Sequence, residues 1–153
     1  MAKQLNTPEA RKALLTACRN IAIIGLSGKP NRPSYRVAEY LIGAGYNVLG
    51  VHPHEKEVLG RPVYASLAAL ADAHPGWIQI VDVFRNADDV PPLVPEAIAV
   101  GARALWLQLG IVNEAAAAAA LAGGLDVVMD RCIKIDHAEL FDNEEADLTC
   151  PTP

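Results

Sequence analysis

Residues 20–36, NIAIIGLSGKPNRPSYR, decide the fold that we predict for this chain. A short apolar run ends at Gly25 and is followed by a loop of small, basic and proline residues. The pattern becomes helical near Ser34, which we expect to cap the helix. A strand, a glycine turn and a helix N-terminus together bind phosphate well, because the loop backbone can approach a ligand and the first helical N–H groups are unpaired.

Four further apolar segments follow at intervals and predict strands over residues 46–51, 77–84, 104–108 and 126–129. Helical patterns separate them, including residues 88–100 and the alanine-rich residues 114–122. Strands alternating with helices imply right-handed crossovers and a parallel sheet. We therefore predict an α/β fold, a single Rossmann-like doubly wound domain with about five parallel strands and helices on both faces.

The chain ends divide the sequence further. Residues 7–18 predict a helix, because a threonine N-cap is followed by a proline and an acidic residue. We expect residues 1–19 to form an N-terminal helix packed on the domain, residues 20–141 to form the domain itself, and residues 142–153 to form an acidic, flexible tail.

Composition limits the partners and the compartment. The net charge of the 153 residues is −5, but four acidic residues lie in the tail and leave 13 basic against 14 acidic residues. This balance gives no support to a nucleic-acid or membrane partner. The 3 cysteines include no CxxC pair, so we expect no disulfide framework or zinc site, and a reducing cytoplasm.

The residues after each predicted strand are the candidate ligand contacts, because doubly wound sheets bind ligands at the carboxyl ends of their strands. The first turn has Ser27 where a GxGxxG motif has its second glycine, and a serine hydroxyl can donate to a phosphate oxygen. Lys29, Arg32 and Arg36 add three positive charges nearby. These residues predict a phosphate site, against the alternative of a solvated loop.

The end of the second strand bears on the class of ligand. An NAD site has an acidic residue there, whereas this chain has a valine followed by His52, Pro53 and His54. Such a turn can pack against adenine, and Lys56 can meet a phosphate. The pattern disfavours NAD without excluding it, and NADP would require Lys56 and Arg32 to hold its 2′-phosphate.

Other polar residues carry weaker signals. We expect Asp82, inside an apolar strand, to pair with Arg85 or with backbone N–H groups, and Arg85 can alternatively reach a ligand phosphate. His52 and His54 are a weak metal pair, since no cysteine accompanies them. Asp136 and His137 predict a surface pair, and Cys132 a structural cysteine rather than a nucleophile.

Four segments in this order resemble the small stand-alone CoA-binding proteins, whose domain is similar to the CoA-binding N-terminal domain of the succinyl-CoA synthetase alpha subunit. They are IAIIGLSGKPNRPSYRVAEYL, VLGVHP, VDVFRNADDVPPLVPEAIAVGARALWLQLGI and LDVVMDRCIKIDH. Together they extend over residues 20–140. The resemblance implies that CoA lies along the carboxyl edge of the sheet.

Carried over residue by residue, the resemblance implies four groups of contacts. The phosphates would meet Gly25, Ser27, Lys29, Arg32, Ser34 and Arg36; the adenosine would meet His52, Pro53 and Lys56; the wall would be Phe84, Arg85 and Val90; the pantetheine would pass Gln108, Gly110 and Ile111.

The resemblance also limits the expected function. Synthetases of this kind use a second domain with a phosphohistidine and an ATP-grasp subunit, and this sequence shows neither. We therefore expect a protein that binds CoA or acyl-CoA without catalysis of its own, as a carrier, a sensor or the partner of a CoA enzyme. It can also associate as a homodimer. The alternatives are an NAD(P)-binding oxidoreductase domain, a CoA-binding subunit of a separately encoded ligase, and a vestigial site with a protein-interaction role.

Overall fold

The computed structural model describes residues 2–141, so the predicted tail, residues 142–153, lies outside the described residues. The strands are β1 (Asn20–Ile24), β2 (Asn47–Val51), β3 (Glu57–Val58), β4 (Arg61–Tyr64), β5 (Ile80–Val83), β6 (Ala104–Leu107) and β7 (Asp126–Val128). The helices are α1 (Pro8–Ala17), α2 (Pro33–Gly43), α3 (Leu67–Ala73), α4 (Leu93–Ala99), α5 (Glu114–Ala122) and α6 (Ile133–Leu140).

The strands form one seven-stranded sheet in the order β3-β4-β2-β1-β5-β6-β7. Every neighbouring pair is parallel except β3 and β4. The predicted Rossmann-like α/β fold is therefore confirmed, but the expectation of five strands is wrong. The two additional strands form a short edge hairpin, too short for hydrophobic alternation to reveal, with Leu59 and Gly60 at positive φ in its turn.

Helices cover both faces of the sheet, because the central strands are apolar on both sides. In β1, Ile21 and Ile23 belong to one buried cluster, whereas Ala22 and Ile24 belong to the other. The first cluster includes residues of α1, α2 and α6, and the second includes residues of α3, α4 and α5. Among the described residues, no helix is long and apolar enough to cross a membrane.

The predicted helix over residues 88–100 is shorter than expected. A 3-10 turn, Ala87–Asp89, precedes the helix α4, and Pro91 and Pro92 lie between them. Proline has no N–H and its ring obstructs a helix interior, so the two prolines delay the helix. The alanine-rich helix α5 has the predicted bounds, and its N-cap, Asn113, accepts a hydrogen bond from the N–H of Ala116 at 2.9 Å.

Asp82 is the unexpected residue of the core. It lies in β5 between Ile23 of β1 and Trp106 of β6, with 0% of its surface exposed. Neither carboxyl oxygen has a hydrogen-bond partner within the described residues, and Arg85 is exposed, so the expected pairing is wrong. Burial raises the pKa of the Asp82 carboxyl well above its usual value, because the charged form is poorly solvated there.

We expect Asp82 to make stability fall as pH rises. The folded state keeps its proton above the pKa of the unfolded carboxyl, near 3.9, so between that pH and the raised folded pKa the folded state binds more protons. The contribution is therefore complete below about pH 4 and is lost at a slope of up to about 1.4 kcal/mol per pH unit above it. Asp82→Asn removes the ionisation.

Urea unfolding of the wild type and Asp82→Asn at pH 4, 5.5 and 7 checks this expectation. The free energy of unfolding of the variant minus that of the wild type should increase from pH 4 to pH 5.5 and again to pH 7. Histidine titration is common to both proteins and cancels in the comparison. A difference that stays constant from pH 4 to pH 7 would contradict protonation of Asp82.

Candidate functional site: a cleft at the carboxyl edge of the sheet

A cleft of about 360 Å³ lies where β1, β2 and β5 end. These three strands are neighbours in the sheet, so their carboxyl ends meet at one edge. Residues of the loop between β1 and α2 and of the loop after β2 line the cleft. The residues that line the cleft are Gly25, Ser27, Lys29, Arg32, Pro33, Ser34, His52, Glu55 and Phe84.

Gly25 brings the first loop close to β5. Its φ of +87° lies in the left-handed region, and a Cβ there would clash with the carbonyl oxygen of Phe84. Its N–H donates to the carbonyl of Val51 at 2.8 Å, which continues the parallel ladder for one more residue. Only glycine fits this turn without moving the backbone of Phe84.

Two serine hydroxyls fix the loop after Gly25. The Ser34 hydroxyl accepts a hydrogen bond from the N–H of Ser27 at 3.0 Å, and the Ser27 hydroxyl accepts one from the N–H of Lys29 at 3.1 Å. Ser34 is 4% exposed. The expectation that Ser34 caps the helix is wrong: α2 begins at Pro33, with Arg32 at the N-cap and no side-chain hydrogen bond there. The N-terminus of α2 therefore presents N–H groups without a side-chain cap to the cleft.

The cleft has an unpaired positive side. Lys29 and Arg32 are exposed at its rim, and neither forms an ion pair within residues 2–141. Arg36 is half-buried one helical turn further along α2 and does not line the cleft. The two rim cations and the positive end of the α2 dipole favour an anionic ligand at this point.

His52 presents a neutral imidazole to the cleft. Its Nδ1 accepts hydrogen bonds from the N–H groups of His54, at 3.0 Å, and Glu55, at 3.2 Å, so its proton lies on Nε2. Burial lowers the pKa of His52, the Glu55 carboxylate opposes this, and Arg85 and His54 add to the lowering. No group of three potential metal ligands occurs among the described residues, so His52 and His54 form no such cluster.

Two lining residues, Pro33 and Glu55, are not among the individually predicted contacts, and of these only Glu55 carries a charge. It is half-buried, and its carboxylate lies against Gly28, where a Cβ would clash with Oε2. The two hydrogen bonds to His52 turn the chain after β2 back toward the first loop and carry Glu55 with it. In the folded cleft, an acidic residue from the loop after β2 is therefore present.

Other predicted site residues lie outside the cleft. Val90 and Ile111 are buried in the hydrophobic core, and Gln108 is 1% exposed, with its Oε1 accepting a hydrogen bond from the N–H of Ile133 at 3.2 Å. The N–H of Gly110 donates to Asp130 at 2.7 Å. Exposed positions near but not lining the cleft are Pro53, Lys56 and Arg85. The structure thus brings together Gly25, Ser27, Lys29, Arg32, Ser34, His52 and Phe84.

The remaining candidates are structural in their contacts. Asp136 and His137 are 4% and 8% exposed, so the predicted surface pair is wrong; α1 and neighbouring aromatic rings cover α6. The Nδ1 of His137 shares a hydrogen bond with the hydroxyl of Tyr40 at 2.8 Å. Cys132 is buried and disulfide-bonded, contrary to the expectation from the cysteine spacing.

Fold and cleft together define a Rossmann-like domain with an anion-favouring turn at its carboxyl edge. The model of the CoA-binding domain family matches residues 19–138, and the chain belongs to that family. An uncharacterized protein of Bacillus subtilis, YneT, is 37% identical over 127 residues, which are 83% of this chain and 91% of YneT. The family expected from the sequence is confirmed.

Solved structures agree on the fold. A hypothetical protein from Pyrococcus horikoshii has a TM-score of 0.82 and 36% identity, with 88% of this chain and 92% of that chain covered. A protein from Thermus thermophilus has a TM-score of 0.82 and 34% identity, with 88% and 99% covered. A dinucleotide-forming acetyl-coenzyme A synthetase of Ca. Korarchaeum cryptofilum has a TM-score of 0.62 at 16% identity, with 73% of this chain but 26% of the synthetase covered.

Proposed function

We propose that this chain binds CoA or an acyl-CoA in the cleft at the carboxyl ends of β1, β2 and β5. The observation that carries the proposal is the pair of unpaired cations, Lys29 and Arg32, beside a glycine turn and a helix N-terminus without a side-chain cap. Membership of the CoA-binding domain family supports CoA as the ligand class.

The arrangement of the cleft suggests how the ligand is held. The diphosphate would lie along the loop after Gly25, where Lys29 and Arg32 neutralise its charge and the first N–H groups of α2 can donate to it. The Nε2–H of His52 adds a neutral donor at the β2 side. Phe84, half-buried at the end of β5, provides an apolar wall.

Two exposed residues would contact the adenosine of CoA, and the turn after β6 would contact its pantetheine. Pro53 and Lys56 are exposed beside His52, where Lys56 can approach the ribose phosphate of CoA. Gly110 lies in the turn after β6, between Gln108 and Ile111 in the chain, whose side chains are buried. Because those two side chains are buried, the pantetheine would contact this turn through its backbone.

We further propose that the chain holds CoA without chemistry of its own, in the cytoplasm, as a carrier or sensor or as the CoA-binding partner of a separately encoded enzyme. The likeness to one part of a much longer acetyl-CoA synthetase supports the last of these roles. In this proposal, two copies of the chain can associate as a homodimer. Incubation with acetyl-CoA should release no free thiol above the buffer rate.

NAD is the second candidate ligand, because the structure places Glu55 in the cleft from the loop after β2. A carboxylate near that strand end can accept hydrogen bonds from the ribose hydroxyls of NAD. Because both ligands carry a diphosphate for Lys29 and Arg32, it is the family membership that favours CoA. Titration with both ligands separates the two candidates.

Ser27→Asp is expected to weaken CoA binding by about fivefold or more. The new carboxylate would lie among the lining residues, and two like charges about 4 Å apart repel by about 1–4 kcal/mol at the dielectric constants of water and of a protein surface. Aspartate can still accept the hydrogen bond that the Ser27 hydroxyl accepts from Lys29, so the loop should keep its shape. Calorimetric titration with CoA measures the change.

Ser66→Asp is the matched control. The Ser66 hydroxyl also accepts a local backbone hydrogen bond, from Ala69 at 3.1 Å, but at the N-cap of α3 and outside the cleft. Its CoA affinity should equal that of the wild type. Equal affinity in Ser27→Asp would show that the turn after β1 is not the phosphate site.

A further inference from the structure

The position of Glu55 sets a carboxylate against the part of the cleft that favours anions. Its Oε2 contacts Gly28, which lies in the same loop as Ser27 and Lys29. Glu55, Ser27 and Lys29 line the cleft, whereas Gly28 does not. No hydrogen bond or ion pair holds the Glu55 carboxylate within the described residues. Its backbone, by contrast, is fixed by the hydrogen bond from its N–H to His52.

This arrangement leaves the side chain of Glu55 free to move while its attachment point stays in place. The carboxylate occupies the space beside the Gly28 backbone, which has no side chain to keep it out. A phosphate oxygen approaching the same loop would meet that negative charge. With Lys29 and Arg32 positive and His52 neutral, Glu55 halves the formal positive charge of the lining.

We propose that Glu55 sets the affinity of the cleft for phosphate-bearing ligands, because its carboxylate, in the free protein, holds the position beside Gly28 that a ligand phosphate takes on binding. It therefore lowers the affinity of the cleft for diphosphate ligands, and it must swing out toward solvent when such a ligand binds. This inference rests on the proposed function, since it concerns the same cleft.

Glu55→Gln tests the inference, because glutamine keeps the shape of the side chain and removes its charge. The variant should bind CoA about threefold to tenfold more tightly, as expected for removal of one partly solvated like charge. Inorganic pyrophosphate, titrated in the same calorimetric experiment, should show the same gain. Adenosine, which has no phosphate, should show none.

Glu57→Gln is the control for net charge. Glu57 is exposed, lies two residues further along in β3 and does not line the cleft. Its removal should change CoA affinity by less than about twofold, because exposed charges at a distance are screened. An equal gain in both variants would overturn the inference.

The remaining outcomes separate the inference from the proposed function. Unchanged or weaker CoA binding in Glu55→Gln, with the wild type binding CoA, would overturn the inference alone; weaker binding would mean that Glu55 accepts a hydrogen bond from the ligand. If neither the wild type nor Glu55→Gln binds CoA, the proposed function fails. Tighter pyrophosphate binding by Glu55→Gln than by the wild type would still support the inference. Equal pyrophosphate affinities of the wild type and Glu55→Gln would overturn the inference.

Discussion

Asp136→Asn is expected to lower the free energy of unfolding by about 3–5 kcal/mol, because it leaves a buried guanidinium without its counter-charge. Arg11 of α1 is 3% exposed, and its Nε lies 2.7 Å from Oδ2 of Asp136 in α6. The other carboxylate oxygen lies 3.2 Å from Arg131. Urea unfolding at pH 7 measures the loss.

Two comparisons make this result specific. Asp72→Asn, at an exposed position of α3, should change stability by no more than about 0.5 kcal/mol. The double variant Arg11→Met with Asp136→Leu should be more stable than Asp136→Asn, since it removes both charges. A single variant as stable as the wild type would show that the ion pair does not hold α1 to α6.

Gly25→Ala is expected to destabilise the protein by about 2–5 kcal/mol and to weaken CoA binding. A left-handed φ costs an alanine about 1–2 kcal/mol. The added Cβ would also clash with the carbonyl oxygen of Phe84, a backbone atom, and such overpacking costs about 1–3 kcal/mol more. Relief of the clash would move the turn that lines the cleft.

Gly110→Ala separates the two contributions. Its φ of +86° nearly equals the +87° of Gly25, but a Cβ there would meet nothing within 4 Å. It should lose only the cost of the left-handed conformation. Equal destabilisation by the two variants would contradict the close approach between the first turn and β5.

The sequence predicts the sheet and the first side of the cleft well because both depend on local signals. An unbroken apolar run such as residues 21–24 is typical of a strand buried on both faces, and the structure buries it so. Gly25, Ser27 and Lys29 follow that strand directly, so the rule that ligands bind at strand ends selects them.

The features that sequence reasoning missed depend on contacts between distant residues. Glu55 enters the cleft because the His52 ring accepts hydrogen bonds from the following N–H groups, a contact that no periodicity reveals. Asp136 is buried because α1, 125 residues earlier in the chain, supplies Arg11. Val90 and Ile111 follow their strands as expected, but their apolar side chains pack into the core.

The central claim is that the cleft binds CoA, and calorimetric titration of the wild type with CoA, acetyl-CoA, NAD and NADP on one preparation tests it most directly. We expect CoA or acetyl-CoA to bind with a sub-millimolar dissociation constant and the two dinucleotides to give no heat of binding. Binding of NAD or NADP without a signal from either CoA ligand would contradict it.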